Sequence, residues 1–232
     1  DKALAKIIRK VNLECMETGK KGVRITARNL RKYLGEEKTF AQRIEEKNLV
    51  GYVNGLAWTS VGGVILGIEV NVVPGSGKLQ LTGQLGDVMK ESAQAALTYL
   101  WSKADELGLD ESFKTKHDIH IHVPDGATPK DGPSAGTAMT TALYSAMTEK
   151  TVDRHIAMTG EVTLRGRVLP IGGLKEKLLA AQRAGVTKVL VPKANMRDIK
   201  EMDSPSIKKL IIVGVETMDE VLKEAIVDDD EN

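Results

Sequence analysis

A change of texture near Val50 constrains the fold more than any other feature. Before it, apolar residues recur at helical spacing: Leu4, Ile7, Ile8, Val11 and Cys15 mark an amphipathic helix that "TGKKG" ends. A second short helix is expected in "ITARNLRKYLG", with Thr26 as N-cap, Leu30 and Leu34 one turn apart, and Gly35 as C-cap. After it, "GYVNGLAWTSVGGVILGIEVNVVPGSG" is rich in Val, Ile and Gly with turn punctuation, which predicts paired strands.

Helical and strand-like segments then alternate irregularly. "GQLGDVMKESAQAALTYLWSKADELGL" predicts a long helix with Val88, Ala95 or Ala96, Leu100 and Leu107 inward. "DIHIHVP" alternates as a strand, residues 124–133 read as a loop, and Ala135 to Met147 as a helix. "HIAMTGEVTLRGRVLPIGG" reads as a hairpin, Leu174 to Ala184 as a helix, "KVLVP" and "LIIVGV" as strands, and "TMDEVLKEAI" as a last short helix. Hairpin-like blocks between helices favour an α+β or mixed α/β fold over a regular parallel sheet. The expected organisation is a helical stub (1–35), a charged linker open to proteases (36–48), the main domain (49–226) and an acidic tail (227–232).

Composition excludes more than it selects. Thirty-three Lys and Arg against 32 Asp and Glu leave a net charge of +1, no sign of a nucleic acid or an anionic surface as partner. Aromatics are 3% of the chain, so the core must be aliphatic. Cys15 is alone, which excludes a disulfide framework and a cysteine-based zinc site and suits a reducing compartment. No apolar run approaches the roughly 18 residues of a membrane span. The start "DKALAKIIRK" has no initiator Met and no apolar signal core, so a piece of a longer protein is expected.

Chemistry concentrates in "PKDGPSAGTAM". Gly132 to Gly136 fits G-x-S-x-G, the pattern of a nucleophilic serine on a sharp turn. The hydrolase elbow of that pattern needs a preceding strand and a late histidine. Here a Pro/Gly loop precedes Ser134, and the only downstream histidine, His155, follows too soon. The plainer reading is that Ser134 caps a helix with Pro133 in its first turn. It leaves the crowding of two glycines and a proline unexplained. Small residues let another backbone approach, and a helix N-terminus presents free N–H groups to an oxyanion. Those donors would come from Ser134, Gly132, Asp131 or a facing segment.

A lysine can replace histidine as base if burial strips its proton near neutral pH. On a helical wheel of "GGLKEKLLAAQRAG", Lys177 falls between Ala181 and Ala184 on the small apolar side, and Lys175 lies about 160° away. A snorkelling surface lysine is the plain alternative. Thr159, in "MTGE", is a candidate to hold such a lysine in place, or an ordinary turn residue.

These stretches, "GLAWTSVGG", "GKLQLTGQLGDVMKESAQAA", "PKDGPSAG" and "MTGEVTLRGRVLPIGGLKEK", resemble the proteolytic domain of bacterial ATP-dependent Lon proteases, from about Leu49 to about Leu222. The resemblance implies a serine endopeptidase with a Ser–Lys dyad, Ser134 and Lys177, within hexameric rings that degrade misfolded and regulatory proteins in the bacterial cytoplasm or the mitochondrial matrix. It implies support from Thr159, from Asp131 in switching loop states, from Gly132 and Pro133 beside the nucleophile, and from His120, His122, Glu69 and Trp58. Residues 1–35 resemble the end of the AAA+ helical subdomain.

The ATPase core that would hold ATP and magnesium is not expected in this chain. "PGSGKLQ" departs from G-x-x-x-x-G-K-[ST] at Val72 and Leu79. His120 and His122 form H-x-H without further ligands at a familiar spacing, so no metal is expected. Lon proteins can bind DNA, yet the locally basic "RKVNLECMETGKKGVRITARNLRK" reads more simply as a solvated helix face. The competing reading is a Lon-like assembly or binding domain without catalysis.

Overall fold

A computed structural model describes residues 2–35, 43–59, 62–124, 129–202 and 204–227. The chain divides into two compact units, Asp1–Ala41 and Gln42–Asn232. The smaller unit holds α1 (Lys2–Thr18) and α2 (Leu30–Leu34). Thr26 does not cap α2 with its side chain. Asn29 precedes the helix, and its Oδ1 accepts from the Thr26 N–H at 2.8 Å, which rounds off the turn instead. Gly35 closes α2 with a φ of 89° and an N–H bonded to the Arg31 carbonyl.

The larger unit runs β1 (Leu49–Val50), β2 (Tyr52–Thr59), β3 (Gly62–Pro74), β4 (Leu79–Thr82), α3 (Asp87–Ser102), α4 (Phe113–Lys116) and β5 (His117–His122). Then come α5 (Gly136–Thr148), β6 (Thr151–Val152), β7 (Ile156–Met158), β8 (Glu161–Val162), β9 (Val168–Leu169) and α6 (Leu174–Ala184). The unit ends with β10 (Lys188–Pro192), α7 (Met196–Lys200), β11 (Ile211–Val215), α8 (Met218–Ala225) and β12 (Ile226–Val227). Seven strands form a mixed sheet in the order β11-β10-β7-β2-β3-β5-β4. β2, β7, β10 and β11 are mutually parallel neighbours, whereas β3 runs antiparallel to both β2 and β5. The class is the mixed α/β expected from sequence.

Period-two alternation divides the core. Ile156 and Met158 of β7 and Leu190 of β10 face one cluster, with Ala138, Met139, Ala142 and Leu143 of α5 and Met89, Ala93 and Ala96 of α3. Ala157, Val189 and Val191 face the other, with Leu174, Leu178 and Ala181 of α6. Strands buried on both faces read as continuous apolar runs, as "KVLVP" does. α5 and α6 therefore cover opposite faces of one sheet, and the ends of its central strands lie between them.

Several boundaries differ from the sequence reading. α3 ends at Ser102, not near Leu107, because Ser102 Oγ folds back onto the Tyr99 carbonyl at 2.6 Å and residues 103–108 turn. Val88 is 41% exposed, since the face that turns inward is Met89, Ala93, Ala96 and Leu100. The expected hairpin at residues 155–173 is smaller: Ile156–Met158 is instead a central strand, and only β8 and β9 pair as a hairpin.

Residues 43–48, expected as linker, belong to the larger unit, with Ile44 partly buried against its core and Glu45 and Asn48 both holding Arg154. Residues 36–42 of that linker and residues 228–232 of the acidic tail lie outside the described residues. Val227, assigned to the tail, pairs with Thr151 in β12.

Candidate active site

Gly132 has a φ of 133°, a conformation that side chains rarely adopt, and it leads into a tight 3-10 turn, Pro133–Ala135, ahead of α5. The Ser134 side chain caps neither the turn nor α5. Its carbonyl instead accepts from the Gly160 N–H at 2.9 Å, while the Thr137 N–H donates to the Gly160 carbonyl at 3.0 Å. A backbone does approach the small residues here. A Cβ on Gly136 would stand 2.8 Å from the Val162 nitrogen. Gly136 thus serves a close approach and Gly132 a positive φ, two needs that helix capping alone leaves unexplained.

Lys177 sits in the first turn of α6 and is 2% exposed. Its Nζ lies 2.9 Å from Ser134 Oγ and 3.1 Å from Thr159 Oγ1. Burial alone pulls its pKa down from 10.5 to about 8. Thr159 follows β7 directly and is fully buried, and its hydroxyl donates to the Ser134 carbonyl at 3.2 Å. A hydroxyl has one proton, so Thr159 Oγ1 is left as an acceptor for a lysine N–H. A neutral amine that donates to Thr159 still has its lone pair available to accept from the Ser134 O–H.

The first turn of α6 is held there by a glycine of β3. A Cβ on Gly63 would stand 2.0 Å from the Glu176 carbonyl oxygen and 2.9 Å from the Lys177 nitrogen. Gly63 O also accepts from Arg183 of α6 at 3.1 Å.

Asp131 Oδ1 accepts from the Gly132 N–H at 2.9 Å and from the Met89 N–H at 3.0 Å. The carboxylate thereby caps α3 from another segment, where the helix dipole favours negative charge. In this arrangement the Gly132 N–H, one of the expected oxyanion donors, is engaged by Asp131.

A cleft of 660 Å³ opens beside Ser134. Leu56 to Thr59 and Val64 to Gly67 form one wall, and Pro129 to Gly132 with Ser134 and Ala135 the other. Trp58 is 59% exposed on its rim. His120, His122 and Glu69 are not among the lining residues. They share another surface of the sheet: Glu69 pairs with His122 across β3 and β5, and Thr82 Oγ1 bonds both His120 and His122, at 2.8 and 2.7 Å. Among the described residues no group of three His, Cys, Asp or Glu could hold a metal ion. Sequence reasoning passed over Gly63 and the buried Lys130, although Lys130 adjoins Asp131 in the quoted motif.

"PGSGKLQ" does not fit a nucleotide phosphate. The N–H groups of Ser76 and Lys78 both donate to Asp118 Oδ1, at 2.7 and 2.9 Å, and Lys78 leads into the strand β4 where a phosphate loop would open a helix.

A serine hydroxyl bonded to a buried lysine of lowered pKa at the edge of an open cleft is an arrangement that serine peptidases, a class of hydrolase, can use. The chain belongs to a particular family of them, the Lon protease (S16) C-terminal proteolytic domain, whose model matches residues 24–228. That span begins inside the segment read from sequence as a helical stub. Among similar proteins, a Lon protease of Vibrio parahaemolyticus is 54% identical over 97% of this chain and 29% of its own length. One of Syntrophomonas wolfei is 52% identical over 97% of this chain and 28% of its own length, and Lon protease 1 of Thermus thermophilus is 54% identical over 96% and 28%. The chain therefore spans under a third of the curated relatives it matches. No helix among the described residues is long and apolar enough to cross a membrane.

Proposed function

We propose that this chain is the endopeptidase domain of an ATP-dependent protease and that Ser134 and Lys177 are its catalytic dyad. The observation that carries this reading is the 2.9 Å contact between Ser134 Oγ and a lysine amine whose proton affinity is lowered by burial alone. A non-catalytic assembly domain would have no use for so costly a buried amine beside a serine.

Neutral Lys177 takes the Ser134 proton as Oγ bonds to the peptide carbonyl carbon, and the carbonyl oxygen becomes an oxyanion. Collapse breaks the C–N bond, and the Lys177 ammonium gives its proton to the leaving amine. Water then attacks the acyl-enzyme, Lys177 accepts its proton, and Ser134 is released with its hydroxyl restored. Thr159 orients the amine throughout. An extended polypeptide lies in the cleft between the β2–β3 wall and the Ser134 loop, pairing its backbone with an exposed edge.

The whole protein, on this reading, is a hexameric cytoplasmic machine. Its ATPase module, with ATP and magnesium, unfolds misfolded and regulatory proteins for this domain. The chain alone then cleaves flexible peptides weakly and without ATP. Labelling by a serine-directed fluorophosphonate tests the dyad. Wild-type chain is expected to be labelled at Ser134 and Lys177→Ala is not. Equal labelling of the two would overturn the assignment.

A further inference from the structure

The steps above leave one buried charge without a role. Lys130 lines the cleft, is 7% exposed, and lies shortly before Ser134 in the same loop. Its Nζ donates to the Gly83 carbonyl at 3.1 Å. Its own N–H donates to the Gln84 carbonyl at 3.0 Å, and its carbonyl accepts from the Gly86 N–H at 2.7 Å. Lys130 thus grips the turn at residues 83–86 with main chain and side chain together, as a parallel bridge opposite Leu85.

That turn has an uncommon backbone conformation and is closely packed. Gly83 has a φ of 109°, and Gln84 has a φ of 59°, uncommon outside glycine. A Cβ on Gly83 would stand 2.1 Å from the Val123 carbonyl oxygen. Thr82, which leads into the turn, is bonded to His120 and His122. Beyond Lys130, the Asp131 carboxylate ties the same loop to α3 at Met89. Gly132 and the 3-10 turn that carries Ser134 follow at once.

We infer that Lys130 is a positioning residue: by holding the Gly83 carbonyl, its ammonium fixes the loop that brings Ser134 Oγ to Lys177 Nζ. The inference rests on the dyad reading. It also gives His120 and His122 a route to the active site, through Thr82 and the turn, although neither lines the cleft.

The test uses the 232-residue chain and a fluorogenic peptide, with Ser134→Ala as baseline and rates taken per folded molecule by circular dichroism. Lys130→Met keeps the aliphatic stem and removes the donor. Its kcat is expected to fall about ten-fold or more with KM within about two-fold, as for groups that orient the reacting atoms. The pH at which activity rises should not move, and Lys130→Arg should recover part of the loss. A raised KM with unchanged kcat, a shifted pH limb, or kcat equal to wild type each overturns the inference. Should Lys130→Met not fold, Lys130→Gln carries the same criteria. A wild-type rate no higher than that of Ser134→Ala overturns the dyad itself. A wild-type rate well above it, matched by Lys130→Met, overturns only the role of Lys130.

Discussion

Lys177 Nζ and Ser134 Oγ stand 2.9 Å apart although 43 residues separate them in sequence. Ser134 lies in the 3-10 turn ahead of α5 and Lys177 in the first turn of α6, helices on opposite faces of one sheet, and the two meet beyond the end of β7, where Thr159 touches both residues. Neither helix could supply the pair alone.

Removing either partner should stop peptide cleavage. Ser134→Ala and Lys177→Met are each expected to lower kcat by about 10²- to 10⁴-fold, the usual worth of a positioned proton acceptor and its nucleophile. Circular dichroism should show both folds intact. Turnover of a fluorogenic peptide at near wild-type rate in either variant would refute the dyad.

Activity should rise with pH through a limb near pH 8, because Lys177 must be neutral to act and its pKa is lowered to about 8. The same shift affects stability. The folded state holds fewer protons at this site than the unfolded state, so stability rises with pH between about 8 and 10.5. Below that window the buried ammonium costs about 3 kcal/mol. Lys177→Met should therefore raise the melting temperature at pH 6 to 7 and flatten its dependence above pH 8. A lower melting temperature at pH 6 would contradict this.

Thr159→Val keeps the shape of the side chain but leaves the lysine amine without its acceptor. A lost buried hydrogen bond of about 1–2 kcal/mol predicts a kcat reduced about ten-fold, and Thr159→Ser should retain most of the activity. Equal rates for Val and Ser at this position would show that the hydroxyl does not orient the amine.

Asp131→Ala removes the carboxylate that caps α3 at Met89. A stability loss of about 1 kcal/mol is expected, with Asp131→Asn losing less. Urea titration with an unchanged midpoint in Asp131→Ala would argue that the cap is not stabilising.

Gly63→Ala would place a methyl group 2.0 Å from the Glu176 carbonyl. Overpacking of this kind costs about 1–3 kcal/mol and must displace the first turn of α6, so stability and peptide cleavage should fall together. Unchanged activity would show that the turn carrying Lys177 can shift without harm.

Much of the site was legible as local pattern. G-x-S-x-G marked Ser134, and the spacing of Leu174, Leu178 and Ala181 turned Lys177 inward, where it is 2% exposed. Local pattern also misled. Ser134 reads as a helix cap, and only the arrival of Lys177 gives its hydroxyl another partner. "HIAM" reads as one arm of a hairpin, yet Ile156–Met158 pairs in parallel with β2 and β10, a contact between distant segments that no local turn signal records. Nothing local marks Gly63, whose constraint is the backbone of α6.

The sequence by itself determined the mixed α/β class, the inward face of α6, and Ser134 and Lys177 as candidates, because these follow from side-chain period and turn chemistry along a short stretch of chain. The tertiary structure decided that the two residues touch, that Thr159 bonds the amine, that Asp131 caps α3, and that Lys130 grips the turn at residues 83–86. Each of those is a hydrogen bond between segments distant in sequence. Its geometry is fixed by how the two faces of the sheet are packed, not by the residues on either side of it.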